Sequence, residues 1–115
     1  MANTFKTITK ANVTSADIIY TVAASTTTVL LGILLGNTTG SAITATVSLV
    51  SDTANRAGNN DEANQTVELI TGTSIPANSS LELLTGNKVV METTDTLSVT
   101  GSASTDVVLS IMEIT

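Results

Sequence analysis

The side chains that carry most enzyme chemistry are missing from this chain of 115 residues, which has no His, Cys or Trp, one Tyr and one Phe. A Ser-His-Asp triad, a Cys-His pair and a Cys/His zinc site cannot be built from it. No imidazole is available to exchange a proton near neutral pH. Carboxylates remain, ten Asp and Glu against four Lys and Arg, and carboxylate chemistry depends on spacing. The stretch from Asp52 to Glu62 offers three carboxylates and several Asn oxygens, as a calcium loop would. A calcium loop places oxygens at alternate positions around a central Gly, whereas Ala54 and Arg56 occupy those positions after Asp52. A solvated loop without metal is expected there. Glycoside hydrolysis needs a fixed carboxylate pair, yet Asp61 and Glu62 are adjacent and Glu68, Glu82, Glu92 and Asp95 show no pairing pattern. Their expected role is to charge strand surfaces and discourage edge-to-edge pairing. No catalytic residue, cofactor or metal site is expected, and the chain is expected not to be an enzyme.

Partner classes narrow in the same way. A net charge of −6 offers no basic stripe to displace counterions from nucleic acid, and 2% aromatic residues leave little for bases to stack on. Attachment to anionic membranes fails for want of cations. The start, Met1 to Lys6, has no apolar signal core, and the run Val29–Leu35, with Gly32 inside it, is too short to span a bilayer. A soluble protein with neither export signal nor anchor is expected, binding neither nucleic acid nor membrane. Four Asn-X-Ser/Thr matches, at Asn12, Asn37, Asn64 and Asn78, are chance products of a chain rich in Ser and Thr. Gly32 and Gly36 have the spacing of a helix-packing motif, but their β-branched context argues for a strand.

The elements that must position these residues are strands. The chain holds 23 Thr and 12 Ser, and Thr suits a pleated, half-exposed surface. Ile43 to Leu49 alternates strictly between apolar and hydroxyl or small side chains, the period of a strand with one wet side. No stretch has convincing helical spacing. Residues 1–16 are polar and weakly patterned, so they are expected to form an N-terminal arm before a single β-sandwich domain at 17–115. Strands are expected near 17–23, 28–36, 43–50, 65–71, 79–84, 87–92, 95–100 and 106–114, with a surface loop at 52–64. Turn signals separate them at Asn37–Ser41, Thr71-Gly72, Pro76–Asn78, Gly86-Asn87, Thr93–Asp95 and Gly101-Ser102. About eight short strands at this spacing predict an all-β, two-sheet sandwich of jelly-roll or immunoglobulin-like kind.

Two segments carry more apolar surface than a small sandwich needs. On 28–36, alternation sets Val29, Leu31, Ile33 and Leu35 on one face and Leu30, Gly32, Leu34 and Gly36 on the other. On 107–114, Val108, Met112 and Ile114 lie opposite Val107, Leu109 and Ile111. A face of each strand is free to meet another chain, and a coreless arm often packs on a neighbour. The candidate assembly interface is therefore Lys6, Lys10, Leu30, Leu34, Val108, Met112 and Ile114. Tyr20 shares an apolar face with Ile18 and Val22 and is expected in the core.

The opening MANTFK, the stretch YTVAASTTTVLLGILLGNTT, the segment IPANSSLELLTGNKVVMETTDTLSV and the ending VVLSIMEIT together resemble a group of small virion structural proteins of tailed bacteriophages. These phages infect marine and freshwater bacteria and include cyanophages. The resemblance covers most of the chain, and 52–64 is its least matched part. It implies a particle component with no catalytic residues, assembled in the bacterial host cytoplasm, a reducing compartment that suits the absence of Cys. The leading expectation is a capsid decoration (cement) protein that stabilises the assembled head. It would be a homo-oligomer, with a trimer favoured, closed through Leu30 and Leu34, and its arm would reach the major capsid protein through Lys6 and Lys10. The alternatives are a neck, tail or fibre-associated virion module and, in another class, a carbohydrate-binding or adhesin domain with Tyr20 as its platform.

Overall fold

The structure is a computed structural model that describes residues 2–51, 65–84 and 87–115. Among them the chain forms nine strands: β1 (Asn3–Val13), β2 (Ala16–Thr21), β3 (Thr27–Asn37), β4 (Ile43–Ser51), β5 (Gln65–Ile75), β6 (Ser80–Leu83), β7 (Val89–Met91), β8 (Thr96–Gly101) and β9 (Thr105–Ile114). All pairing is antiparallel. The first sheet has the order β1-β9-β3-β6, with β7 also on β3, and the second has the order β2-β8-β4-β5. The pairs nest from the chain ends inward: β1 with β9, β2 with β8, β3 with β7 and β6, and β4 with β5. A single long hairpin wound in this way, its successive pairs laid alternately in two sheets, is a jelly roll. The expected sandwich is present, and the topology the sequence left open is settled by strand order. The expected loop at 52–64 and the residue Gly86 lie outside the described residues.

The core sits between the sheets. Leu30, Ile33 and Leu35 of β3, Leu109 and Ile111 of β9, and Leu97 and Val99 of β8 are buried. Each such Leu or Ile contributes about 1.5–3 kcal/mol relative to exposure.

Two β-bulges decide which residues reach that core. In β3, Leu30 pairs with Ile111 and Gly32 with Ser110, so Leu31 is an extra residue. One inserted residue inverts the alternation beyond it. Leu30 therefore faces inward together with Ile33 and Leu35, which corrects the expected face division and removes Leu30 from any outer surface. In β2 the extra residue is Ile19, between Ile18 opposite Ser98 and Tyr20 opposite Leu97. Ile18 is consequently turned out to solvent while Tyr20 is buried. The expected common face of Ile18 and Tyr20 does not exist.

Residues expected as an arm are instead β1, a strand paired along β9 from Asn3 to Lys10. Directly opposed residues share a face, so the inward positions are Thr4, Lys6, Ile8 and Lys10, opposite Glu113, Ile111, Leu109 and Val107. Only Ile8 and, past the bend at Asn12 (φ 58°), Val13 pack on the core. With lysines on half of its inward positions, the strand shows no apolar period.

Two polar residues tie the turns. Buried Asn37 donates through its amide nitrogen to the carbonyls of Ser41, Ile75 and Pro76, and its oxygen accepts from the Thr39 amide and hydroxyl. Gly101 closes β8 where a Cβ would lie 2.5 Å from Thr105 Oγ1 and 2.6 Å from the Val13 carbonyl oxygen. A Gly101→Ala chain should lose about 1–3 kcal/mol in denaturant unfolding as the β1 end is pushed off β8. Asn37→Ala should cost a similar amount, about 1–3 kcal/mol, by removing the amide that holds the Ser41, Ile75 and Pro76 carbonyls together; Ser41 and Pro76 keep the Thr39 hydroxyl and the Ser79 amide as donors. An unchanged midpoint for either would refute the packing described.

Candidate assembly surface

The outer face of the first sheet is built by register. Phe5 lies opposite Met112, Met112 opposite Val29, and Val29 opposite Val90, so these four side chains make one apolar row across β1, β9, β3 and β7. A second row joins Val108 to Leu34 and Leu34 to Glu82. Phe5 is 71% exposed, Val90 57% and Leu34 37%. Strand positions on this face carry charge only at Glu82 and at Asp106, which accepts from the Asn12 amide at the sheet's end. The opposite outer face differs: Ser48 pairs with Ser98, Thr46 with Thr100 and Thr44 with Ser74, a surface of hydroxyls. The second sheet's outer face is mainly hydroxyl-bearing, with exposed Ile18 at its β2 end, and the first sheet's is mainly apolar.

The apolar face is also concave. The bulge at Leu31 and the bare Gly32, beside which an added Cβ would meet nothing within 4 Å, leave a depression of about 400 Å³. Leu31, Leu34, Leu84 and Val108 line it together with Glu82 and Ser110. A smaller hollow of about 250 Å³ lies on the other side of Leu31, next to Phe5 and Thr7.

Of the residues expected at an interface, the register sets Leu34, Val108, Met112 and Ile114 on this face. Leu30 is in the core. Lys6 and Lys10 face the gap between the sheets and are engaged there: Lys6 Nζ is 2.7 Å from Glu113 Oε1, and Lys10 Nζ is 3.7 Å from Asp17 Oδ2. Phe5, Val29, Leu31 and Val90 were missed. Phe5 stands alone among polar neighbours, and only its pairing with Met112 reveals its surroundings.

Glu113 joins four strands. Its second oxygen accepts from the Tyr20 hydroxyl at 2.5 Å, and that hydroxyl, its proton spent, accepts from Thr28 Oγ1 at 2.7 Å. Tyr20 comes from β2, Thr28 from β3 and Lys6 from β1, so one carboxylate links both sheets. The Lys6 ammonium and then the Tyr20 hydroxyl hold the Glu113 carboxyl below its ordinary 4.5. Burial, then the bond to Glu113, pushes the Tyr20 phenol up to about 12. Among the described residues no group of three or more acidic side chains is placed to hold a metal ion.

The fold and surface together define an antiparallel jelly-roll block with one apolar outer face. No protein-family model and no curated protein matches its sequence. Among solved structures it is similar to one described as Bacillus endospore appendages that form a novel family of disulfide-linked pili. The TM-score is 0.51 at 19% identity, over 99% of this chain and 87% of that one. It is also similar to a chain in the structure of infectious bursal disease virus, Gx strain, with a TM-score of 0.56 at 12% identity, covering 98% of this chain and 33% of that one. At these identities the likeness is one of fold.

The network adds a pH dependence to stability at both ends of the scale. A carboxyl held below its unfolded value stabilises the fold above that value, and the contribution is lost as pH falls through the folded pKa. A phenol raised from 10.0 to about 12 stabilises below 10, and that contribution is lost as pH rises through the folded value. Denaturant unfolding against pH should show a decline below 4.5 that Glu113→Gln flattens, and a decline between 10 and 12 that Tyr20→Phe reduces. Parallel profiles for the parent and both variants would rule the network out as their cause.

Proposed function

We propose that this chain is a structural component of a bacteriophage virion, a capsid decoration (cement) protein that binds the assembled head and stabilises it. The observation that carries this reading is the apolar outer face of the first sheet, whose strand positions carry charge only at Glu82 and Asp106. Soluble monomers rarely leave such a face open unless something covers it. Jelly rolls recur as shell-building units, which is support by fold analogy, and the resemblance of the sequence to small phage virion proteins points the same way. The partner is the major capsid protein or another virion protein, met in the host cytoplasm during assembly. Binding only the assembled lattice favours that lattice by mass action. The block acts as a homo-oligomer, with a trimer favoured. No catalytic role is proposed.

Lys6 and Lys10 are half exposed and paired with Glu113 and Asp17, so contacts from them to capsid protein compete with those pairs. The second reading, a neck, tail or fibre module, draws support from the fold likeness to a pilus. A fibre of this chain would need another link between subunits, since it has no cysteine for a disulfide. A carbohydrate-binding role loses its platform, because Tyr20 is buried and its hydroxyl is bonded to Glu113 and Thr28.

Quantitative mass spectrometry of purified virions, normalised to the major capsid protein, separates the two virion readings. Near-stoichiometric abundance is expected for a decoration protein. A few copies per particle would reject it and place the chain at the neck, tail or fibres.

A further inference from the structure

The strands of this sandwich are not held equally. Along the edge strand β1, Val13 is buried, Ile8 is half-buried and every other residue is exposed. The edge strand of the second sheet, β5, has the same length but sets Leu69, Ile70 and Ile75 against the core. Val13 lies beyond the bend at Asn12, where the register with β9 breaks. The Asn12 amide donates to Asp106 Oδ1 and its side-chain oxygen accepts from Ser104 Oγ, so Asn12 and Val13 are fastened to the body. Between Asn3 and Lys10 a single apolar side chain, Ile8, packs on the core.

What holds that stretch is its ladder with β9 and two ion pairs, Lys6 with Glu113 and Lys10 with Asp17. Both lysines are half exposed, and pairs that water reaches hold weakly. Backbone bonds gain little over bonds to water, while ordering a strand along them costs its conformational freedom. Segments with few buried apolar contacts and solvent-exposed backbone bonds open without global unfolding. We infer that β1 is a strap that opens and recloses on a folded sandwich: Asn3–Lys10 leaves β9 as a unit, hinged at Asn12, while the two sheets stay packed.

Opening changes what the molecule presents. It bares the β9 edge from Val107 to Ile114, a row of unpaired backbone N–H and C=O groups, which is covered whenever the strap is closed. It parts Lys6 from Glu113, whose other oxygen keeps the Tyr20 hydroxyl on β2, and it parts Lys10 from Asp17 on β2. β9 keeps its full ladder with β3 throughout, from Thr27 opposite Ile114 to Asn37 opposite Thr105. The two lysines are therefore the latch of the strap, and Ile8 is its apolar anchor.

The experiment is amide hydrogen exchange of the purified full chain, read residue by residue by NMR at rising but sub-denaturing guanidinium. Alternate residues of a central antiparallel strand bond to opposite neighbours, so the amides of β9 divide between β1 and β3. Those bonded across the β1–β9 ladder, on both strands, should exchange about tenfold or more faster than those bonded between β9 and β3. Their rates should respond little to guanidinium, which leaves a period of two along β9. Thr7 and Ser110 are exposed and directly opposed, and the cysteine-free background allows Thr7→Cys with Ser110→Cys to lock the strap. Oxidation of that pair should slow the fast set to the rate of the β3 side, and reduction should restore it. A common rate and guanidinium slope for both sets of β9 amides would overturn the inference, as would a fast set that oxidation of the cysteine pair leaves unchanged.

Discussion

One extra residue in β3 sets the division between core and surface. β3 is central in its sheet, bonded to β9 on one side and to β6 and β7 on the other. Without the bulge at Leu31, two-residue alternation would turn either Leu30 or the pair Ile33 and Leu35 out to solvent. With it, all three enter the core and Val29, Gly32 and Leu34 come to the outer face together. The bulge also interrupts the outer surface, where the bare Gly32 opens the depression beside Leu31. Core packing and the shape of the outer face are thus two results of one backbone irregularity.

The closed margin follows from the same economy of residues. β1 has one apolar inward side chain, Ile8, along the stretch paired with β9, so the gap between β1 and β2 has to be filled by polar groups. Lys6, Glu113, Tyr20 and Thr28 fill one part of it, and Lys10 with Asp17 another. Buried polar groups are favourable only when their bonds are satisfied, and among the described residues no buried side-chain nitrogen or oxygen lacks a partner. The lysines whose charge discourages foreign strands at the edge are also the ones paired across it with Glu113 and Asp17.

Where composition and period agree, the sequence is transparent. Thr-rich alternation in 43–49 and the turn residues at Asn37–Ser41 and Pro76–Asn78 led directly to strands and turns. Eight strands could be read to within a few residues at most of their ends. What escaped the reading is what local pattern cannot encode. A bulge inverts the alternation beyond it, so strict alternation set Leu30 on the face of Leu34 and Ile18 on that of Tyr20, while Ile33 with Leu35, Gly32 with Leu34, and Tyr20 in the core were read as they stand. β1 was hidden because a strand whose inward positions hold Thr and Lys has no hydrophobic period, and its existence depends on β9, a hundred residues away. The surface was half legible: Leu34, Val108 and Met112 follow from two-sided apolar strands, whereas Phe5 and Val90 join them only through pairing.

An acidic chain gains little from meeting its own kind unless charge is kept away from the contact. Nearly all formal charge on the described strands lies at margins, in turns or in pairs inside the sandwich edge, and the centre of the first sheet's outer face has none. Its hydroxyl-bearing counterpart on the second sheet is well solvated and has no comparable reason to leave water. A jelly roll with two unlike faces is directional, since its apolar face gains more from leaving water than its hydroxyl-bearing face does. Whether such blocks close around an axis or continue into a fibre depends on the rotation between neighbours rather than on the fold. Similar sandwiches can therefore occur in a pilus and in a virus while the surface chemistry of each decides the assembly.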